Sequence, residues 1–420
     1  MFSTLRNAWK VADIKKKMIY TLMMLFVYRI GATVTVPGVD VVYVGNEVNK
    51  YALGGFIDLF AGGALSNFSL FALGIMPYIT ASIIMNLLTM AIPALERMSK
   101  EGPEGRKKIA SITRYAGVGL GLIQAIGVLA IFGDSALLEL GTPIIINKIT
   151  IVLCLTAGTA LIMWIGELIT ENGVGNGISL IIFINIISRL PGAAYASVAS
   201  IFMGAPVTSL IIILVAALAI ITGITFIDLG ERRIPVQYAK RVIGRKIYGG
   251  QATHIPMKIN QSGVMPLIFA MTLLQFPTMI MGFMAPETRA GYDAVMGADK
   301  PLYLVVFALL IFFFTFFYSQ ATFNPVEVSK NLQQNGGFLP GIRAGKPTSD
   351  YLHKILVRVT LFGAIFLALV ATIPTGVGAV AGVSSPFGAT SLLIMVSVSL
   401  ETTRQLESQM MMRHYKGFLK

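Results

Sequence analysis

A chain of 420 residues is long enough for two or three soluble domains, but 55% of it is hydrophobic and only 13% charged, about half the charged share of an ordinary soluble domain. No single globular core absorbs that much apolar side chain, and disorder requires low hydrophobicity, so both classes are excluded. The net charge of +13 would suit a nucleic-acid binder until its placement is read, because nearly all basic residues fall between apolar runs.

In chain order, an amphipathic stretch from Phe2 to Lys17 comes first. No small-residue cleavage site follows the first apolar run, which is therefore expected to stay in the membrane. A window of about 19 residues then finds ten apolar runs, near 18–37, 69–92, 115–133, 149–169, 177–190, 207–227, 264–284, 302–323, 356–374 and 386–403. With the N-terminus inside, 27 of the 33 Lys and Arg lie in cytoplasmic segments, five in outer loops, and Arg29 within the first span. Such asymmetry is the positive-inside pattern, and it places both termini in the cytoplasm. Five spans on each side of the loop at 190–206 predict two halves of opposite orientation, 1–190 and 191–420, the inverted repeat that sets a working site near the midplane. The expected fold is all-α, with ten transmembrane helices in two inverted five-helix halves.

Residues 54–88, "GGFIDLFAGGALSNFSLFALGIMPYITASIIMNLL", interrupt the series. Gly54-Gly55 and Gly62-Gly63 bracket an apolar piece too short to span, and Ser66-Asn67 are placed to start the long helix that follows. One reading is a small re-entrant helix folded into a central cavity as a plug, where non-helical backbone is tolerated. The other is an amphipathic helix on the outer surface. Two cytoplasmic intervals, 229–263 and 324–355, each exceed thirty residues. That is more than a hairpin needs, and they are expected to form a docking surface for an acidic or ribonucleoprotein partner.

Chemistry is conspicuous by its absence. The spans near 69–92, 115–133, 264–284, 302–323 and, past Arg358 at its cytoplasmic edge, 356–374 hold no Asp, Glu, Lys, Arg or His. Arg29, Glu167, Asp228, Glu401 and Arg404 lie in or near span ends, where snorkelling or capping accounts for them. Cys154 is the sole cysteine, which excludes an intrachain disulfide framework. His254, His353 and His414 lack metal-ligand spacing. "GIRAGK" at 341–346 carries Pro340 where a phosphate loop needs glycine, and the glycine clusters at 117–121 and 173–177 follow no soluble strand. No cofactor, metal or catalytic constellation is expected. A passive conduit driven from outside fits best. An ion-coupled solute transporter and an intramembrane enzyme are the rivals, marked by flux coupled to an ion gradient and by turnover of the chain alone.

Six motifs carry a resemblance: "RIGATVTVPGVD" (29–40), "FALGIMPYITASIIMNLL" (71–88), "GELITENGVGNGISLIIF" (166–183), "GVMPLIFAMTLLQFP" (263–277), "GIRAGKPT" (341–348) and "GATSLLIMV" (388–396). They strongly resemble the SecY family, the large subunit of the general secretory protein-conducting channel, in order and over nearly the whole chain. The C-terminal "MMMRHYKGFLK" resembles the Gram-positive version. The resemblance implies a pore ring of Ile75, Ile79, Ile178, Ile182, Ile268 and Ile394. The four-residue spacing within the first two pairs puts each on one helix face, but on the residues alone isoleucines in spans are ordinary packing or lipid-facing side chains. An aliphatic constriction dewets, so it blocks ions yet accepts any passing side chain.

The resemblance further implies a plug over roughly 57–67, with Ile57, Asp58, Leu59, Phe60, Leu65, Ser66 and Asn67, and a lateral gate between spans 2–3 and 7–8. Asn86, Asn176 and Phe276 match positions near pore and gate, and the amide of Asn86 is expected to find an interhelical partner. Arg233, Lys240 and Arg241 match a basic loop tip that meets the motor or the ribosome, while Arg343 and Tyr415 match residues that work with the ATPase SecA. Ala344 stands where the family carries proline and is expected to loosen the loop presenting Arg343; "FGATSLL" replaces "GGTSLL". The implied setting is the plasma membrane. The implied partners are the small membrane subunits SecE and SecG, SecA or a ribosome, precursors with signal sequences, and the lipid that receives released segments. No direct nucleotide binding is implied.

Overall fold

The computed structural model describes residues 2–417 apart from 51–57, 59–60, 134–135, 139–142, 203–206, 239–240, 244–245, 249–251, 282–283, 285, 298–299 and 382–388. Helices run α1 (Phe2–Lys10), α2 (Ala12–Gly31), α3 (Val41–Lys50), α4 (Met76–Ala91), α5 (Pro93–Lys100), α6 (Pro103–Phe132), α7 (Ile144–Asn172), α8 (Gly177–Phe202) and α9 (Val207–Leu229). Strands β1 (Glu231–Tyr238), β2 (Arg241–Ile243), β3 (Lys246–Tyr248) and β4 (Ala252–Lys258) follow. Next come α10 (Met265–Met281), α11 (Pro286–Met296), α12 (Pro301–Thr322), α13 (Pro325–Gln334), β5 (Gly337–Phe338), α14 (Lys346–Ala381) and α15 (Ala389–Gly417). Each of the ten apolar runs falls on a helix: α2, α4, α6–α10, α12, α14 and α15. Among the described residues, α6, α7, Pro301–Gln334 and Lys346–Ile373 are each long and apolar enough to cross a membrane. The chain divides into two compact units, one of Met1–Ala205, Thr272–Tyr303 and Val398–Lys420, the other of Pro206–Met271 and Leu304–Ser397.

In the first unit, two boundaries depart from expectation. Helix α2 ends at Gly31 rather than near 37. The run Thr33-Val34-Thr35-Val36-Pro37 is β-branched and closes with proline, which disfavours helix, and it pairs instead with the chain ahead of α4. Val36 N donates to Phe68 O at 3.0 Å and Leu70 N to Val34 O at 2.8 Å around a Thr35–Ser69 bridge. The second run becomes helical only at Met76, and Ser66-Asn67 do not start it. Residues 62–75 are turns and that one bridge, with Gly62, Gly63 and Gly74 at φ +66°, +91° and +57°, conformations that side-chain-bearing residues avoid. At the other end, α4 meets α5 at 100°. Ile92 precedes Pro93, which forces it out of the helical region to φ −105°, ψ 113°.

In the second unit, the two long intervals expected as separate loops fold into one small α/β lobe. Strand β1 pairs antiparallel with β4 (Ile234 opposite Ile255) and with β5 (Gln237 opposite Phe338), in the order β4–β1–β5. Along β1 the alternation buries Ile234 and Val236 while their neighbours face out. These two pack with Met257, Leu332, Leu339, Leu352, Ile355 and Leu356 into one apolar core. The strands are an addition to the expected all-α fold, and β2 with β3 forms a separate two-stranded ribbon beside them.

Candidate functional site

The most chemically specific region lies between α2 and α4. Asp58 is fully buried, and a buried carboxylate persists only when paired and hydrogen-bonded. Its Oδ1 accepts the backbone N–H groups of Leu65 at 2.9 Å and Ser66 at 3.0 Å; its Oδ2 accepts from the Ser66 hydroxyl and from the Arg189 guanidinium. A second guanidinium grips the same segment. Arg29, in the last turn of α2, donates from Nη1 to the carbonyl of Gly62 at 2.9 Å. Beside it the hydroxyl of buried Tyr28 donates to Asn185 Oδ1 at 3.0 Å, and the Tyr28 ring stacks on Phe71 with centroids 5.4 Å apart. Gly62 lies against that asparagine so closely that a Cβ there would sit 2.5 Å from Oδ1. Ala61, Ala64, Leu65 and Phe68 are buried, Ser66 is half-buried and Asn67 exposed. Of the apolar piece between the two glycine pairs, Asp58 and Ala61 are described, and both are buried. Ile57, Leu59 and Phe60 lie outside the described residues.

Three of the ionisable residues near span ends, Arg29, Glu167 and Asp228, are hydrogen-bonded to protein groups. Besides Arg29, Glu167 accepts from Arg114 Nε at 2.7 Å, tying α7 to α6. In the second unit Asp228 accepts from Asn260 Nδ2 at 2.8 Å and from the Ser397 hydroxyl.

Ile75 caps the start of α4, and Ile79 N donates to its carbonyl at 3.1 Å, so the two share one turn. Ile178 and Ile182 share a turn of α8. Ile268 and Ile394 belong to the second unit, on α10 and α15. All are buried except Ile178, which is half-buried. Asn86 is exposed on α4, and no hydrogen bond joins its amide to another helix among the described residues, contrary to expectation. Asn176 has a definite local task. Its Oδ1 accepts from Ile178 N at 3.0 Å and Ser179 N at 3.4 Å, which caps α8. Phe276 is half-buried, one residue before the helix-interior Pro277.

On the lobe, Arg233 is exposed and its Nε pairs with Glu231 Oε1 at 2.7 Å. Lys240 lies outside the described residues; Arg241 opens β2 and Tyr415 lies within α15. Arg343 is exposed on a loop that is pinned despite Ala344. Thr348 Oγ1 donates to the Arg343 carbonyl at 2.8 Å, Ser329 Oγ to that of Gly345 at 2.7 Å, and Ile342 packs on the lobe core. Arg232 and Arg358, with Glu231, flank a cleft of about 420 Å³ floored by Ile259, Val359 and Phe362.

Apolar helices long enough to cross a bilayer, a turn-built stretch enclosing a buried carboxylate in the first unit and a basic α/β lobe in the second define a polytopic α-helical membrane protein. The SecY family signature matches residues 69–403, and the chain belongs to the SecY family. It is 43% identical over 439 residues to a Protein translocase subunit SecY of Streptomyces galbus, a match covering 100% of both chains. Its fold is similar to one described as "The structure of a protein conducting channel", with TM-score 0.66, 19% identity, and 94% of this chain and 92% of that one covered. A further structure, at TM-score 0.66, 18% identity and the same coverage, is of a SecY protein whose plug domain is stated to stabilise the closed state and maintain a membrane seal.

Proposed function

We propose that this chain is the pore-forming subunit of a protein-translocation channel in the plasma membrane. It passes unfolded secretory polypeptides outward and releases hydrophobic segments sideways into lipid. The observation that carries this is the largely buried, turn-built stretch 62–75 closed around the buried carboxylate of Asp58, in a chain of the SecY family. Non-helical backbone at membrane depth is tolerated only inside protein or against a water-filled cavity. A stopper that must leave and return has reason to be such a segment rather than a regular span. Residues 57–67 are then the plug. Ile75, Ile79, Ile178, Ile182, Ile268 and Ile394 form the pore ring, and Asn86, Asn176 and Phe276 lie near the gate. The halves 1–190 and 191–420 are inverted repeats, and both termini are cytoplasmic.

The chain itself has no catalytic chemistry and holds no cofactor. SecA, a translating ribosome or the proton-motive force supplies the drive, and SecE and SecG complete the membrane complex. The lobe, with Arg233, Lys240, Arg241 and Arg343, and the tail with Tyr415 meet the motor or ribosome. The exposure of Arg233 and Arg343 and the arginine-flanked cleft suit an acidic partner.

The test uses the lone cysteine. In a Cys154→Ser background carrying Ile182→Cys, a precursor with one cysteine is arrested in reconstituted membranes with SecE, SecG, SecA and ATP. Disulfide formation at position 182, and none at the exposed control Leu309→Cys, is the expected result. Efficient insertion with both sites silent overturns the pore assignment, and failure of any precursor to insert overturns the channel itself.

A further inference from the structure

We propose that Arg189 is a positioning residue for the plug: its ion pair with Asp58, assisted by Arg29 on the Gly62 carbonyl, is the lock that must open before the segment can move. The proposal rests on segment 57–67 acting as the plug. Nothing in the chain's local sequence pairs these residues; they lie 131 positions apart and meet only through folding.

Three observations carry it. First, Asp58 is 0% exposed and Arg189 about one-third exposed, so the carboxylate depends on this cation much more than the cation depends on it. An ionised carboxylate left alone in a buried site is expensive, whereas an arginine at 34% exposure can turn to water. Second, the contacts are arranged on one side of a boundary. Leu65 N, Ser66 N and the Ser66 hydroxyl all lie within the segment and would travel with Asp58. Arg189 on α8 and Arg29 on α2 belong to the surrounding helices and would stay behind. The internal bonds therefore hold the segment's shape, and among the described residues the two guanidiniums supply its charged hydrogen bonds to the surrounding helices. Third, the seat leaves no slack. A Cβ at Gly62 would sit 2.5 Å from Asn185 Oδ1, and Asn185 is itself bonded to Tyr28, so the segment is seated closely where Arg29 holds it.

The experiment places a reporter in the segment. In a Cys154→Ser background, the fully buried Ala64 becomes Ala64→Cys, a change of similar size. The reconstituted complex with SecE and SecG is then exposed to a small membrane-impermeant maleimide without precursor, while ion leak is recorded in planar bilayers. Arg189→Gln is expected to raise the labelling rate about tenfold, the effect of losing one partly screened ion pair, and Asp58→Asn is expected to raise it as well. Combining Asp58→Asn with Arg189→Gln should raise it no more than the larger single change, because residues in direct contact are non-additive. Arg189→Lys, which keeps the charge, should restore part of the protection.

Unchanged labelling in Arg189→Gln that still transports precursor overturns the lock, as do fully additive single effects. If Arg189→Gln fails to assemble, the Arg189→Lys and double variants decide the matter by the same criteria. Leak separates the lock from the plug. Faster labelling with faster leak supports both, whereas faster labelling with no added leak leaves Arg189 holding the segment but removes the segment's role as a seal.

Discussion

Two regions of this molecule bury their centres by opposite means. The lobe of β1, β4, β5, α13 and the start of α14 hides an apolar cluster and turns its charges outward. The segment 58–75 does the reverse at its centre, enclosing a carboxylate and answering it with backbone amides, a hydroxyl and a guanidinium. An apolar core is non-directional and tolerates small adjustments. A buried polar network is satisfied in one geometry and costly in any other. The lobe is thus built to persist, and the segment to occupy one position or leave it.

The sharpest way to break this contrast is to damage each region and read both. Leu352 is fully buried in the lobe core, and Leu352→Ala is expected to destabilise the lobe by about 2–5 kcal/mol. Limited proteolysis in detergent should show faster cleavage within 231–258, with resting ion leak unchanged; increased leak would show that the two regions are not separable. Gly62→Ala attacks the other side. It combines a strained φ of +66° with a steric conflict at Asn185 and should cost about 1–3 kcal/mol locally. Resting leak should rise while lobe proteolysis stays at its original rate. A smaller effect sharpens the lobe alone. Asn324 caps α13 by accepting from Val326 N at 3.1 Å and Glu327 N at 3.4 Å, and Asn324→Ala should lower lobe stability by about 1 kcal/mol, visible as a modest increase in the same cleavage rate.

How much of this was legible in the sequence depends on the range of the interaction. All ten apolar runs lie on helices because a long hydrophobic stretch is a local property. Ser66-Asn67 misled as a helix start because the residues 62–75 are shaped by partners elsewhere: the Val34–Val36 strand, Asp58 and the walls around Gly62 and Gly74. Periodicity sees none of these. The lobe was hidden for the same reason, since Gln237 meets Phe338 only after an intervening hairpin and two spans; the alternation of β1 was the available signal and was passed over. Asn176 before Gly177 carried an ordinary capping cue that motif matching obscured. Arg189 stands at the end of the fifth apolar run, where a lone arginine carries no local sign of its partner. The clue to its role is Asp58 itself, an acid in an apolar stretch that requires a counter-ion, but nothing local points to an arginine 131 positions away. Asn86 is the converse case: an amide within an apolar run suggested a partner, and the side chain is exposed.

The 100° knee at Ile92–Pro93 has a mechanical consequence for the second span. Helix α5 carries Glu96, Arg97 and Lys100, with Glu96 and Lys100 bonded at 2.5 Å on its exposed face, and it projects sideways from the end of α4 like the flange on a bolt. A piston stroke of one helical turn, about 5.4 Å, in the direction of α4 would drag those charges into the apolar layer, where each is costly. Swinging α4 about the knee leaves them where they are. If α4 is the second span, the knee therefore braces it against sliding along its axis.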